Sequence, residues 1–349
     1  MENQILQIIQ QSKVQARDYQ IRIISKTLTA LQQNIQSILI ESPTGSGKTL
    51  TCLIILKLLE QNHPQMKFIW TTIRHKLLKQ AELENQKIGV KNIQFMSIFN
   101  KTPPESDLII EDEAQHSAAN SCLSFQNKTK AKLGIGLTAT PLRTDKLKLA
   151  YDKTISDYGV KFLIESGYLA PYDRYVIPQY TVKQVSERYL ESPEKWGKSI
   201  FFMKDTQECY HLESILKNRG ISCSTILGEM PYSQQDDILN AAEEGKINAL
   251  INVYLLTEGY DDHKLQTVWI RDNSKLPTMQ MVGRALRKDP DNPQKVANVI
   301  QSSHTPYPYI RTATPRQEFI YSDKWLSVQS NKQVKTVMSN VMRDLMMRV

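Results

Sequence analysis

Ser37-Ile38-Leu39-Ile40, followed by Pro43-Thr44-Gly45-Ser46-Gly47-Lys48-Thr49 and the run Leu50 to Gln61, is the stretch on which the fold turns. A short, continuous apolar run reads as a buried strand, and the longer run after Thr49 has helical length. Glycines between a strand and a helix let backbone N–H groups turn toward phosphate oxygens. The helix N-terminus adds a partial positive charge to the same place. Lys48 is placed to reach the β and γ phosphates, and Thr49 to hold Mg²⁺. Ser42 stands where the pattern GxxxxGK[ST] has its first glycine.

Outward from this stretch, the same rhythm continues. Phe68-Ile69-Trp70, Leu108-Ile109-Ile110 and Gly134-Ile135-Gly136-Leu137 read as strands, and His75 to Gln86 has helical spacing. Strand and helix in alternation predict an α/β unit with a parallel sheet covered on both faces. Tyr168 to Lys198 holds Pro171, Pro178 and Pro193 among tyrosines and charges, and reads as a connector with one strand of its own at most. From Ser199 the rhythm restarts. Ile200 to Met203, Ser224 to Leu227, Ala249 to Val253, Val268 to Ile270 and Val296 to Ile300 read as strands, with helices at Glu208 to Asn218 and Ser233 to Glu244. The expected divisions are 1–165, a connector 166–198, a second unit 199–302, and a basic and aromatic extension 303–349. In that extension, Lys332 to Arg348 reads as a basic amphipathic helix packing on the second unit. Its tyrosines, Phe319 and Trp325, interleaved with cations, offer the alternative of stacking bases.

Asp112-Glu113-Ala114-Gln115-His116 follows the strand Leu108-Ile109-Ile110. Residues just past the C-terminal edge of a parallel sheet face its ligand crevice. Asp112 can complete a Mg²⁺ shell while Glu113 polarises an attacking water. Taken alone, the pair would read as a solvated loop end. Gln280-Met281-Val282-Gly283-Arg284-Ala285-Leu286-Arg287 lies in the second unit. On a helix Arg284 and Arg287 would share a face, with Gln280 one turn earlier. Arginines brought from another domain can stabilise charge on a transferring phosphate, a contribution of roughly 10³–10⁵ in rate.

In order and spacing these stretches resemble the superfamily 2 helicases. Arg17-Asp18-Tyr19-Gln20 is similar to their adenine-reading motif, Ser42 to Thr49 to motif I, and Asp112 to Gln115 to the DEAD/DEAH box. Leu137-Thr138-Ala139-Thr140-Pro141 resembles motif III, Leu256-Thr257-Glu258-Gly259-Tyr260-Asp261 motif V, and Gln280 to Arg287 motif VI. Gly136 to Arg143 and Gly167 to Pro171 resemble the branch of XPB-type helicases and restriction-enzyme motor subunits. The resemblance implies two tandem RecA-like domains with parallel sheets and an ATP cleft between them. It implies catalysis by Lys48, Asp112, Glu113, Gln280, Arg284 and Arg287. ATP would be held by Arg17, Gln20, Pro43, Thr44, Gly45, Ser46, Gly47, Lys48, Thr49, Gly259 and Asp261, with Mg²⁺ on Thr49 and Asp112. Coupling would pass through Gln115, His116, Thr138 and Thr140, and nucleic acid would meet Arg74, Ser97 and Thr257. The box departs from the family in carrying Gln115, with His116 one place late, so either could couple hydrolysis to movement.

Apolar residues make up 40%, enough for two cores; the net charge is +8 and the pI about 9.1. A basic balance fits a polyanionic partner, though many basic proteins never touch nucleic acid. Cys52, Cys122, Cys209 and Cys223 show no zinc spacing and read as reduced thiols. Met1-Glu2-Asn3-Gln4 begins no basic and apolar leader, and no apolar run is long enough to span a bilayer. The expectation is a monomeric cytoplasmic or nucleoid-associated DNA helicase or translocase, without a membrane, and with partner proteins for targeting. The alternatives are an RNA helicase or RNA-stimulated ATPase, and an ATP-gated clamp that does not unwind.

Overall fold

A computed structural model describes residues 2–12, 14–116, 120–141 and 149–328, with backbone alone at 120–122. The chain divides into two compact units, Met1–Gly159 and Val160–Val349.

The first unit is a six-stranded sheet. Its strands are β1 (Ser37–Glu41), β2 (Phe68–Thr72), β3 (Ile93–Ser97), β4 (Leu108–Asp112), β5 (Leu133–Thr138) and β6 (Lys153–Ile155). They lie in the order β3-β2-β4-β5-β1-β6, every pair parallel. Parallel strands are buried on both faces, which is why β1, β2 and β4 read as apolar runs rather than as alternations. The helix Lys48–Asn62 is apolar nearly all round, and it buries Cys52 through Leu56 and Leu58. The register sets Gly134 of β5 beside Ser37 of β1, and Leu133 beside Leu108 of β4. The three strands therefore end together, and the loops after them share one sheet edge.

Gly136, in the middle of β5, leaves room for Tyr151. A Cβ there would collide with the tyrosine hydroxyl and ring. That ring cannot simply step aside, because its hydroxyl donates to Glu111 Oε2 (2.6 Å) and Gln126 donates to the other carboxylate oxygen. Gly136→Ala is therefore expected to cost about 1–3 kcal/mol of stability, as overpacked cores do. A thermal or denaturant melt reads this, and an unchanged midpoint would contradict the packing.

The second unit has eight strands: β7 (Tyr172–Ile177), β8 (Ser199–Phe202), β9 (Cys223–Thr225), β10 (Ala249–Asn252), β11 (Thr267–Ile270), β12 (Ala297–Ser302), β13 (Gln317–Tyr321) and β14 (Trp325–Ser327). The order is β14-β13-β7-β12-β11-β8-β10-β9, with only the β13–β14 pair antiparallel. Two segments are built into this sheet more closely than the sequence expectation had them. The stretch read as a connector supplies the one strand allowed it, β7, but as an inner strand, pairing with β12 along its whole length and with β13 on its other side. Asp173 and Arg174 interrupt its apolar pattern. Both are buried because Arg316 pairs with the first and Glu318 with the second across the β7–β13 seam.

The stretch expected to be an extension contributes β13 and β14. Its aromatics face the core instead of presenting a base-stacking surface. Tyr309 is fully buried, Phe319 stacks on Tyr175 with centroids 4.8 Å apart, and Trp325 meets Tyr175 edge-on at 5.1 Å. The Lys195 ammonium lies 4.5–5.7 Å from the ring centroids of Tyr175, Trp196, Phe319 and Trp325. Four quadrupoles thus offset a burial that pushes the Lys195 amine below its usual range. Lys332 to Arg348 lies outside the described residues.

Candidate active site

The loop after β1 turns through two left-handed glycines, Gly45 (φ 79°) and Gly47 (φ 77°), before the helix starts at Lys48. Both conformations favour glycine, and a Cβ on Gly47 would also strike the Gln20 amide. The loop is held from behind. Gln20 is 2% exposed and donates to the carbonyls of Ser46 (3.1 Å) and Gly47 (3.2 Å), while its own oxygen accepts from the Arg17 N–H. Tyr19 donates to Ser46 O at 2.6 Å, and Arg17 reaches Gly45 O and the Tyr19 hydroxyl. Arg17 and Gln20 therefore brace the loop, with both amide hydrogens of Gln20 spent on it. The role of Tyr19 went unseen in the sequence, although its hydroxyl sits between the two residues singled out there. Ser42, in the first-glycine position, donates its hydroxyl to Ser46 Oγ (2.7 Å), so the departure from the pattern adds a bond inside the loop. Lys48 Nζ donates to Ser42 O at 3.1 Å. Pro43, Thr44 and Thr49 are half-buried on the same turn.

Asp112 ends β4, and Glu113 follows it in the left-handed region (φ 58°). A non-glycine residue held there is strained, and such strain collects at functional sites. Burial, and then the neighbouring Glu113, push the Asp112 carboxyl up to about 7, against the pull of Lys48. Gln115, 8% exposed, donates to Glu113 Oε2 (2.9 Å) and accepts from the Thr138 hydroxyl (2.7 Å). Thr138 Oγ1 in turn accepts from the Thr140 N–H at 3.0 Å. The Glu113 carboxylate is therefore wired through Gln115 to the loop after β5. His116 lines a small pocket with Thr71, Thr72, Ile98, Asp112 and Glu113.

In the second unit the helix Lys275–Ala285 carries Gln280 and Arg284. It stops at Ala285, so Arg287 lies past its end and the shared face expected from the spacing does not form. Leu286 caps the helix, and its carbonyl accepts from the Ala170 N–H (2.7 Å). Arg284 is 4% exposed and spends its guanidinium on the carbonyls of Thr257 (2.9 Å) and Tyr260 (2.9 Å). Gln280 donates to Glu258 (3.2 Å), and Arg287 forms an ion pair with Asp261. Motif VI thus holds the motif V loop at four residues, with Gly259 (φ 72°) turning between them. Lys295, which the sequence reading missed, is 6% exposed and donates to the carbonyls of His263 (2.7 Å) and Arg287 (2.8 Å). Burial brings its amine down to about 8.

Of the residues expected to meet nucleic acid, Arg74 caps the helix His75–Ile88 just past β2, and Ser97 ends the neighbouring β3. Thr257 is 6% exposed and its hydroxyl donates to Tyr254 O (2.6 Å), so it shapes the turn after β10. Among the described residues, no three His, Cys, Asp or Glu side chains cluster as a metal site, and no helix is long and apolar enough to cross a membrane.

A phosphate loop on one parallel sheet and a glutamine-arginine helix on a second define a phosphate-loop protein with two RecA-like units. The family described as "Type III restriction enzyme, res subunit" matches residues 13–102, and the helicase conserved C-terminal domain matches residues 181–289. IRC3 of Saccharomyces cerevisiae, whose name describes an ATP-dependent helicase, is 25% identical over 338 residues, covering 78% of this chain and 49% of its own length. A fragment of a type I restriction HsdR subunit from Vibrio vulnificus superposes with a TM-score of 0.64 at 18% identity, covering 87% of this chain and 68% of that one. Dbp5 of S. cerevisiae bound to RNA and ADP BeF3 shares the fold at a TM-score of 0.63 and 15% identity, covering 86% of this chain and 87% of its own. The chain belongs to the superfamily 2 helicases, in the branch of the type III restriction motor subunits. It spans about half the length of IRC3.

Proposed function

We propose that this chain hydrolyses ATP to move along or remodel DNA, duplex or branched. The observation that carries this is the bond chain from Glu113 through Gln115 to Thr138. A simple phosphate-binding switch needs a loop and a carboxylate. It does not need that carboxylate tied to a separate strand end, whereas a motor has to convert hydrolysis into displacement.

The residues fit a nucleotide with Mg²⁺. Left-handed glycines and a helix start at Lys48 suit phosphate oxygens. Thr49 and Asp112 offer the few oxygen ligands that Mg²⁺ takes beside substrate phosphates. When bound, the pair would supply the phosphoanhydride bond and the charge that neutralises its oxygens. Lys48 would exchange Ser42 O for phosphate, and Glu113 would orient the attacking water. Arg287 would exchange Asp261 for the γ phosphate. Arg284 would stay with the motif V carbonyls. Arg74 and Ser97 would bear on backbone phosphates, so binding should depend little on sequence and fall steeply with salt.

DNA is favoured over RNA by the restriction-enzyme relatives, among them the type I restriction enzyme EcoAI endonuclease subunit of Escherichia coli, and by the fold shared with LlaBIII bound to DNA. Dbp5 bound to RNA keeps the second reading in view. ATPase turnover and unwinding on single-stranded, duplex and forked DNA and on RNA duplexes separate the readings. We expect the strongest stimulation from forked or duplex DNA. Stimulation by RNA alone would reassign the substrate, and turnover indifferent to every nucleic acid would overturn the motor.

A further inference from the structure

Tyr254 stands two residues past the end of β10 and is 44% exposed, an unusual setting for a large ring. It is nonetheless held firmly. The Arg271 guanidinium covers the ring, its carbon 4.2 Å from the centroid. The Tyr254 hydroxyl donates to Asn273 Oδ1 (3.2 Å), and Arg271 Nη1 donates to Lys204 O (3.0 Å). Its carbonyl accepts from both the N–H and the hydroxyl of Thr257. Tyr254, Arg271 and Lys204 follow the ends of β10, β11 and β8, three adjacent strands, so the cluster crosses the carboxyl edge of the sheet. Two polar atoms in it, Arg271 Nε and Asn273 Nδ2, are shielded from water and have no hydrogen-bond partner.

We infer that Tyr254, backed by Arg271, is a base-stacking platform for a single-stranded stretch of nucleic acid. A ring fixed by a cation and a hydrogen bond, but still exposed, loses little freedom when a flat ligand covers it. Nucleobases stack on such rings whatever their sequence. Lys204, exposed at the rim, adds charge that suits the phosphate of a stacked nucleotide. Phosphate contacts alone would accept a closed duplex, but a stacked base has to be out of its helix. The platform therefore specifies a strand with unpaired bases, a requirement that rests on the motor reading above and narrows it.

The test is the affinity of labelled single-stranded oligonucleotides, in DNA, in RNA, and in an abasic strand of the same length and charge. Tyr254→Ala should weaken binding to the normal strands by roughly 5- to 150-fold, the range of one lost stack, and leave the abasic strand unaffected. Tyr254→Phe, which keeps the ring, should bind like the parent. A loss confined to DNA or to RNA keeps the platform and assigns its source. An equal loss on the abasic strand, or no loss anywhere, overturns the platform but leaves the motor standing. A parent chain that binds no strand at all overturns the motor reading, and the platform falls with it. Melting curves confirm that both variants fold.

Discussion

Arg287→Ala is expected to lower ATP turnover by roughly 10³–10⁵-fold, the worth of an arginine that meets the transferring phosphate, while nucleotide binding persists. Arg287 sits past the end of its helix, on a segment free of the i,i−4 ladder, and is paired with one carboxylate, Asp261. A phosphate can take the place of that carboxylate, whose side chain is 27% exposed. Arg284 differs, since its departure would leave the carbonyls of Thr257 and Tyr260 unsatisfied in the interior. An interaction made only in the transition state lowers kcat and kcat/KM together and leaves ground-state binding alone. Single-turnover hydrolysis beside equilibrium binding of a fluorescent nucleotide reads the split. Tight binding with parental turnover would remove Arg287 from the chemistry. Arg287→Lys should not restore the rate, because an ammonium lacks the planar fork.

Lys48→Ala is expected to lower turnover by about 10²–10³-fold, the usual consequence of removing one preorganised donor at a developing charge, and to weaken nucleotide binding as well. Two effects combine. The ammonium is the first side-chain cation of the helix that follows the left-handed glycines, and it already bonds a loop carbonyl. It also opposes the burial and the Glu113 charge that push Asp112 upward. Without it, Asp112 takes a proton more readily and is a poorer ligand for a divalent cation. ATPase assays across Mg²⁺ concentrations check both effects. Turnover equal to the parent would mean that the loop after β1 holds no phosphate.

Four strands of the first unit were legible because they carry continuous apolar runs and because the glycine loop is local in sequence; β3 and β6, with exposed Gln94, Lys153 and Thr154, gave no such run. Nine strands and four helices stand where runs such as Leu108 to Ile110 and His75 to Gln86 place them. What the pattern hid was long-range. Asp173 and Arg174 look like loop residues until Arg316 and Glu318, some 140 positions later, neutralise them across a seam. Likewise, the RxxR spacing is compatible with a shared helix face. The stop at Ala285 depends on where Leu286 meets Ala170, which no local pattern encodes. At the loop after β1 the hydrogen bonds were equally hidden. Gln20, read from the sequence as an adenine reader, donates both amide hydrogens to that loop, and only its position beneath the loop reveals this.

The seam between β7 and β13 also bears on how the second unit could be excised. The helicase C-terminal match closes at residue 289, yet Phe319 and Trp325 cover Tyr175 and Trp196 and enclose the Lys195 ammonium. A fragment that keeps β7 but ends at residue 289 would lose β12 and β13, both partners of β7, and would leave Tyr175, Trp196 and a stranded amine open to water, inviting strand-to-strand aggregation. Expression of this half in isolation has to reach through Ser327 before the cut is clean.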